Sequence, residues 1–284
     1  SYPVLLSGTP EQKKLWFETM VAKKYAAFCL TEPNAGSDAG GVQTTAVEDG
    51  DEWVINGTKC FITNGGIAEV YTVFATVDKS LGIKGITCFL VERERPGISI
   101  GKHEDKMGIR LSNTTEVVFE DVRIPKDHLI GEVGKGFKIA MNTLNESRIN
   151  VAAMGTGLAA RALDEAIEYA KARVQFKHPI ADQPVIQQMI ADMAIAVEAC
   201  RQLVYHTAEV VDAGLPYTKL SSMSKCLGGD TAVRVALDAL QVLGGYGYMK
   251  EYPIEKLVRD AKIMQIYEGT NQVQRLTIAK ELLR

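Results

Sequence analysis

The sequence predicts an α+β protein in which a short helical segment precedes a middle β domain and a carboxyl-terminal helical bundle. Short runs of β-forming residues, separated by turn residues, occupy the chain from Ala26 to Ile124. After Gly131–Gly136 the apolar residues change to the three- and four-residue spacing of helices. Because no helical pattern separates the β runs, we expect a small barrel or sandwich rather than a parallel dinucleotide-binding sheet.

The first helix is predicted to begin after Thr9. Threonine is a good capping residue, Pro10 suits the first turn, and Gln12 can reach back to the cap. The helix should end at about Val21.

Six runs are predicted to be strands, and Asp49-Gly50 between two of them predicts a hairpin. The runs are Ala26–Thr31, Val42–Glu48, Glu52–Ile55, Val70–Val77, Gly85–Glu92 and Thr115–Ile124.

The second half is predicted to form an antiparallel bundle resembling a four-helix bundle. Apolar residues at helical spacing predict helices through residues 158–170 and 186–204. A third helix is predicted over Leu220–Val242, ending at Gly244-Gly245. Residues 257–266 and 272–283 complete the bundle.

Composition excludes several classes of function. Hydrophobic residues make up 46% of the 284 residues and charged residues 24%, which is typical of a protein with a full core. The net charge of −3 gives no general attraction to nucleic acid. No apolar run approaches the roughly 20 residues that a membrane helix needs. The amino end lacks a secretory pattern, so we expect a cytoplasmic or mitochondrial-matrix protein that is not secreted.

The cysteines and histidines give no sign of a metal site. The five cysteines are scattered and show no paired spacing, and the four histidines form no cluster. We therefore expect reduced, buried thiols and a mechanism without a metal.

The stretch Asp260–Arg275 carries the most specific chemical signal. An amphipathic run breaks at Gly269, and a second helical run follows, with Thr270 placed to cap it. The acid Glu268 therefore stands at a kink, where glycine can turn a carboxylate away from the helical surface. Spacing alone favours a capped joint with a solvated glutamate, since charged residues are mostly exposed.

The motifs Arg259-Asp260-Ala261-Lys262, Gln265–Thr270 and Gln272–Arg275 resemble the signature of the acyl-CoA dehydrogenase family. In its short- and medium-chain members, the glutamate at this place is the catalytic base. The resemblance implies that Glu268 removes the α-proton of an acyl-CoA while the β-hydrogen leaves as hydride to flavin N5. It also implies cofactor contacts at Thr270 and Gln272 and substrate contacts at Tyr267 and Gly269.

Two segments of the β region resemble the family's flavin-contacting segments. The first is Phe28–Asp38, in which the resemblance implies cofactor contacts at Phe28, Leu30, Thr31, Gly36 and Ser37, with Ser37 also near CoA. The second is Phe61–Gly66. There the resemblance implies that Phe61 packs on the flavin, that Ile62 is a further contact, and that the Thr63 hydroxyl bonds N5. Ordinary strand and loop packing is the competing explanation for both.

Two further segments of the second half resemble the parts that bind the adenine dinucleotide end of a neighbouring subunit's FAD. The implied contacts are Arg173, Gln175, Phe176, Gln241, Gly244 and Gly245. Arginine suits a pyrophosphate because its fork donates two bonds. The sequence departs from the family here, since Phe176-Lys177-His178-Pro179 replaces phenylalanine-glycine-lysine-proline, and Gln183-Pro184 stands near the expected flavin-contacting glutamine.

Leu144–Arg148 resembles the helical segment that touches substrate, with implied contacts at Asn145 and Arg148. In the long-chain and isovaleryl branch the catalytic glutamate comes from this helix, immediately before the arginine. Ser147 occupies that position here, which leaves Glu268 as the base.

The resemblance implies three parts: residues 1–24 as the remnant of an amino-terminal helical domain, 25–130 as the middle β domain, and 131–284 as the helical bundle. Most of the family's first domain has no counterpart in these residues. The implied partners are an acyl-CoA, an electron-transferring flavoprotein and further copies of the chain in a homotetramer. Two alternatives stay open, which are the reverse reaction as an enoyl- or acrylyl-CoA reductase and a catalytically silent FAD-binding relative.

Overall fold

The computed structural model describes residues 2–22 and 24–284. The chain divides into two compact units, of which the first comprises Ser1–Lys106 and Arg110–Thr143 and the second Met107–Ile109 and Leu144–Arg284. Each unit has its own hydrophobic core. The β domain followed by a helical domain is as predicted from the sequence, whereas the predicted limits at residues 24 and 130 stay predictions.

The first unit begins with two helices, α1 (Tyr2–Ser7) and α2 (Pro10–Val21). The Thr9 hydroxyl accepts from the Gln12 amide, and the Gln12 side chain accepts from the Thr9 amide, so the predicted capping box is confirmed. Gln12 also donates to the carbonyl oxygens of Asp127 and Leu129 at 2.6 and 2.8 Å. The cap therefore joins α2 to a distant part of the same unit.

The first unit is built on one sheet of eight strands. Seven of them run in the hydrogen-bonded order β6-β7-β3-β2-β4-β5-β8, and β1 pairs in parallel with β4. The strands are β1 (Tyr25–Cys29), β2 (Thr45–Asp49), β3 (Glu52–Thr63), β4 (Ala68–Thr76), β5 (Ile86–Glu92), β6 (Ile98–His103), β7 (Thr114–Pro125) and β8 (Leu129–Ile130).

Three details of the strands differ from the sequence-based prediction. Strand β3 continues eight residues beyond Ile55, through Gly57, because β7 pairs with it along most of its length. Strand β6 was not predicted, since its residues are mostly exposed and lack apolar alternation. The loop of the β2–β3 hairpin is Gly50-Asp51 rather than Asp49-Gly50, because Asp49 pairs with Glu52.

The second unit is helical. Its helices are α3 (Gly136–Ala172, counted in this unit from Leu144), α4 (Pro184–Asp212), α5 (Thr218–Leu243), α6 (Ile254–Ala261) and α7 (Asn271–Leu282). A short hairpin of β9 (Val174–Gln175) and β10 (His178–Pro179) joins α3 to α4. None of the helices in the described residues is long and apolar enough to cross a membrane.

Small residues let α3 and α5 approach closely. A Cβ added at Gly155 would lie 2.7 Å from the carbonyl oxygen of Gly228, and one at Gly228 would lie 2.8 Å from Cα of Ala152. Alanines of α3, α5 and α6 fill much of the surrounding core. Backbone contact of this kind needs glycine where the two helices cross. The faces that α3 and α5 turn toward each other are therefore determined by shape as well as by hydrophobicity.

The predicted helical segment 257–266 is only partly helical. Helix α6 ends at Ala261 and a 3-10 turn covers Lys262–Gln265, so regular α-helix stops well before Gly269. Thr270 caps α7 as predicted, with its hydroxyl accepting from the Val273 amide at 3.2 Å. The turn that carries Glu268 is therefore a longer non-helical link between α6 and α7.

Candidate active site

Glu268 lies in a strained turn of the second unit. Its own φ is 57° and that of Gly269 is 84°, so two successive residues adopt the left-handed region. The sequence indicated a glycine-made kink, whereas the acid itself takes the unfavourable conformation. Non-glycine residues adopt it at a cost and mainly where surrounding contacts impose it, which is common at functional sites.

Three side chains hold the main chain of this turn. The Nε atom of Arg148 and the Nε2 atom of Gln274 donate to the Glu268 carbonyl oxygen at 3.3 and 3.1 Å. Lys225 donates to the Gly269 carbonyl oxygen at 2.8 Å. Because α3, α5 and α7 each supply one donor, the turn is fixed from three helices at once.

The carboxylate of Glu268 has one hydrogen-bond partner within the described residues. Ser147 on α3 donates to its Oε2 atom at 2.7 Å. Burial raises the pKa of Glu268, and the bond from Ser147 and the charges of Arg148 and Lys225 oppose that shift only in part. The result is a carboxylate whose proton affinity is greater than that of a free glutamate, as a general base requires.

The predicted substrate contacts Asn145 and Arg148 lie beside each other on α3. Asn145 Oδ1 accepts from Arg148 Nη1 at 2.7 Å, and its amide donates to the Thr218 hydroxyl at 3.2 Å. Tyr267 is half-buried, its hydroxyl contacts the Met264 sulfur at 3.1 Å, and burial raises its pKa to about 12. The neighbouring acid Glu146 binds the Tyr217 hydroxyl and not the turn.

Lys225 and Asn271 form a support that sequence reasoning missed. Both are buried, and Lys225 donates to Asn271 Oδ1 at 2.9 Å while the Asn271 amide donates to Asp230 at 2.8 Å. Burial lowers the pKa of Lys225 to about 8. The available signal was a lysine among small residues on a core-facing stretch of α5, since a buried charge requires partners.

The predicted cofactor contacts after Glu268 have different surroundings. The Thr270 hydroxyl is engaged as the cap of α7, and Gln272 is exposed. Within the described residues, neither side chain forms a hydrogen bond with the Glu268 carboxylate.

A cavity of about 750 Å³ lies in the second unit near the α3–α4 hairpin. Of the predicted dinucleotide contacts, Arg173, Gln175, Phe176, Gly244 and Gly245 line it, whereas Gln241 is exposed and does not. Gln183 also lines it, although its position in the sequence did not identify it clearly. Aromatic rings of Tyr169, Tyr246 and Tyr252 meet beside the cavity, and the Arg173 guanidinium lies 5.2 Å from the Tyr246 ring.

The hairpin explains the departure from the family pattern at Lys177. Phe176 and Lys177 have φ of 53° and 68°, so Lys177 adopts the left-handed conformation at the place where the family pattern has glycine. The turn is therefore kept without glycine, at some cost in backbone strain. Phe176 is 88% exposed at the tip, which leaves its ring available to another surface.

The two flavin-like segments lie side by side in the first unit. The Cys60 amide donates to the Thr31 carbonyl oxygen at 3.0 Å. The Lys59 ammonium donates to Glu32 at 2.7 Å, to the Leu30 carbonyl oxygen at 3.1 Å and to that of Phe74. Glu32 in turn accepts from the amides of Gln43 and Thr44 at 2.7 and 3.0 Å. One buried ion pair thus ties the Leu30–Thr44 loop to β3.

The predicted contacts of these segments differ in accessibility. Phe61 is 64% exposed with φ of 56°, and Thr63 is also exposed. Ile62 between them is buried in the core, so only its backbone is available. Gly36 and Ser37 are exposed and Thr31 is half-buried, whereas Leu30 is buried and Phe28 packs on Phe74 with ring centroids 5.1 Å apart.

Comparison with known proteins gives a consistent result. Residues 27–122 match the family described as acyl-CoA dehydrogenase, middle domain, and residues 134–283 match acyl-CoA dehydrogenase, C-terminal domain. The structure of butyryl-CoA dehydrogenase from Megasphaera elsdenii is 49% identical with a TM-score of 0.97, and the match covers 99% of this chain and 74% of that one.

Two further similarities extend this comparison. A chain in a structure reported as "Electron transferring flavoprotein of Acidaminococcus fermentans: Towards a mechanism of flavin-based electron bifurcation" is 49% identical with a TM-score of 0.98, over 99% of this chain and 74% of that one. The acryloyl-CoA reductase (NADH) of Anaerotignum propionicum is 49% identical over 280 residues, which are 98% of this chain and 71% of the relative.

Proposed function

This chain belongs to the acyl-CoA dehydrogenase family, and on that premise we propose that it oxidises a short-chain acyl-CoA to the trans-2-enoyl-CoA with Glu268 as the base. The observation that carries the proposal is the Glu268 turn. It combines a strained backbone, support from three helices and a carboxylate whose pKa is raised by burial.

In this proposal Glu268 takes the α-proton of the substrate. The ionised carboxylate is the active form, and its raised pKa makes it a stronger base than free glutamate. Proton transfer converts a charged, half-buried group into a neutral one, so burial favours the protonated product. Ser147 donates to Oε2, which leaves Oε1 without a hydrogen bond in the described residues and open to the substrate.

The main chain of the same turn can stabilise the developing negative charge. Within the described residues the Glu268 amide donates no hydrogen bond, so its N–H is available for the thioester oxygen. A fixed donor at a charge that grows in the transition state is the arrangement of an oxyanion hole. The bonds from Arg148, Gln274 and Lys225 to the turn keep this donor in place.

Members of the family depend on FAD, and the residues of this chain fit such a cofactor. Phe61 and Thr63 are exposed beside Thr31, while Arg173, Gly244 and Gly245 line a cavity. A Cβ added at Gly244 or Gly245 would meet no atom within 4 Å, so the backbone there is open to a phosphate-sized group. When bound, FAD supplies a hydride acceptor at N5. We propose that Phe61, Thr63 and Thr31 contact the flavin. We propose further that Arg173, Gly244 and Gly245 contact the adenine dinucleotide end of a neighbouring subunit's FAD, with a lesser part for Gln241.

The reverse reaction is the second candidate function. The acryloyl-CoA reductase of Anaerotignum propionicum is 49% identical, and the same base would serve as acid in the reverse direction. We also propose an electron-transferring flavoprotein as redox partner, which the similarity to the Acidaminococcus fermentans structure supports. A homotetramer and a cytoplasmic or matrix location stay predictions.

An absorption titration with butyryl-CoA tests the proposal. The purified protein, supplied with FAD, should be yellow and should bleach on addition of butyryl-CoA without oxygen. The Glu268→Gln protein should retain the yellow colour and bind the thioester. Its flavin should be reduced more slowly by a factor greater than the roughly 10²–10⁴-fold typical of losing a general base, because the base is absent. The control is Glu146→Gln, which removes the acid bonded to Tyr217 and should bleach normally. Bleaching by Glu268→Gln at the normal rate would exclude Glu268 as the base.

A further inference from the structure

The hydroxyl of Ser147 has two acceptors within reach and one hydrogen to give. Its Oγ atom lies 2.7 Å from Oε2 of Glu268 and 3.2 Å from the carbonyl oxygen of Leu144. A hydroxyl donates one hydrogen bond but can accept others, so it cannot donate to both atoms at the same time. The two distances therefore define two alternative arrangements of one hydroxyl.

The choice between them depends on the proton of Glu268. When the carboxylate is ionised it can only accept, so the serine must donate to it. When Glu268 is protonated at Oε2 it can donate to the serine oxygen, and the serine hydrogen is then free to bond the carbonyl oxygen of Leu144. That carbonyl precedes Arg148 by four residues in α3 and has its helical partner in either case. Neither arrangement leaves an orphaned group.

Among the residues that the structure describes, no other side chain is hydrogen-bonded to the carboxylate and able to reverse in this way. Arg148 from α3 and Lys225 from α5 are cations that donate only, and they contact main-chain oxygens of the turn. Gln274 from α7 likewise donates to the main chain. The Tyr267 hydroxyl on the turn itself contacts a methionine sulfur.

We propose that Ser147 is a positioning residue for both protonation states of Glu268, donating to the carboxylate before proton transfer and accepting from the carboxylic acid after it. Only hydrogen bonds change direction, and no proton leaves the serine. Ser147 needs this double role because Glu268 is charged before the proton transfer and neutral after it. A partner that could serve only one of the two states would oppose the proton transfer or release the side chain after it. This inference rests on the proposed function for its catalytic consequence, but the two hydrogen-bonded states can be measured without turnover.

The test compares Ser147→Thr with Ser147→Val, because the two side chains share a shape and differ in the hydroxyl. Infrared difference spectra of the FAD-loaded protein without substrate are recorded across pH. They give the midpoint, which is the pH at which Glu268 is half-protonated, and the band of its protonated carboxyl group. The Glu268→Gln protein identifies both signals. Loss of the hydroxyl should raise the midpoint by roughly half to one pH unit, because a bond to a charged group is the stronger one.

The decisive observation is the band of protonated Glu268. If Ser147 accepts from the carboxylic acid, that band shifts in Ser147→Val and in Ser147→Ala. It keeps its position in Ser147→Thr and in the control Ser99→Ala, which changes an exposed serine of β6. An unshifted band in both Ser147→Val and Ser147→Ala would overturn the proposal, since the serine would then serve only the ionised state. A shift in Ser147→Thr equal to that of Ser147→Val would overturn it as well, because the hydroxyl would be irrelevant.

Turnover provides a separate measurement. At a pH where Glu268 is ionised in every variant, Ser147→Val should reduce its flavin roughly tenfold more slowly than Ser147→Thr, with unchanged binding of butyryl-CoA. If Glu268→Gln reduces flavin normally, the proposed function fails, while the infrared result still decides whether Ser147 serves both states.

Discussion

The ammonium nitrogen of Lys59 lies 2.7 Å from a carboxylate oxygen of Glu32, and both side chains are withdrawn from solvent. Lys59 lies on β3 and Glu32 lies in the loop that follows β1. Because the same ammonium also binds the carbonyl oxygens of Leu30 and Phe74, it organises the loop from within. The pair joins the two segments that we propose to hold the flavin.

Breaking this pair should be costly. Lys59→Met leaves a buried carboxylate without its cation and should lower the free energy of unfolding by about 3–5 kcal/mol. Urea denaturation measures it. The Lys59→Met/Glu32→Gln double variant should regain part of the loss, because no buried charge remains unpaired. Removing Arg123 from its exposed pair with Asp49 is the control and should change little. If Lys59→Met and the Arg123 control lowered the free energy of unfolding equally, burial of the Lys59–Glu32 pair would be unimportant.

Flavin reduction by butyryl-CoA should depend on pH through Glu268. Burial raises its pKa, and the ionised form is the base, so the reduction rate should fall as pH drops through that raised pKa. Stopped-flow bleaching at a series of pH values measures the midpoint, which should lie above that of a free glutamate. Glu146→Gln should keep the profile. A profile with an ordinary carboxyl midpoint would contradict the burial argument.

Gly245→Ala should separate folding from cofactor binding. An added Cβ would meet nothing within 4 Å, so the melting temperature should stay the same. If the backbone there approaches the cofactor, the methyl group should weaken FAD binding several-fold, which fluorescence titration of the apoprotein can measure. Gly157→Ala is the matched control, since its Cβ is also in open space on α3. Unchanged FAD affinity in Gly245→Ala would remove this glycine from the site.

Phe61→Asn should weaken FAD binding without destabilising the fold. Phe61 keeps an exposed ring on a backbone with φ of 56°, which asparagine adopts more easily. The free energy of unfolding should therefore stay equal or rise by up to about 1 kcal/mol, while FAD affinity falls because the ring is lost. Tyr25→Asn removes another exposed aromatic ring, on β1, and should leave FAD affinity unchanged. A marked loss of stability in Phe61→Asn would show that the ring serves the fold instead.

The sequence by itself determined the order of the elements and the identity of the candidate base. The Thr9 capping box, the hairpin after Asp49 and the end of α5 at Gly244 were all predictable, because each depends on a few neighbouring residues. The resemblance around Glu268 identified the family for the same reason, since its motif is continuous in sequence.

Only the tertiary structure decided how that base is held. Ser147 and Lys225 lie 121 and 43 residues before Glu268 along the chain, and no local pattern joins them to it. Gln274 belongs to the same motif, but its bond to the Glu268 carbonyl oxygen is seen only in the folded turn. The left-handed conformation of Glu268 itself was likewise not predictable, because local preference opposes it and contacts from three helices impose it. Burial, which raises its pKa, is also a property of the packed chain. The sequence names the acid, and packing of distant helices gives it the raised pKa and the held geometry on which the proposed role as base rests.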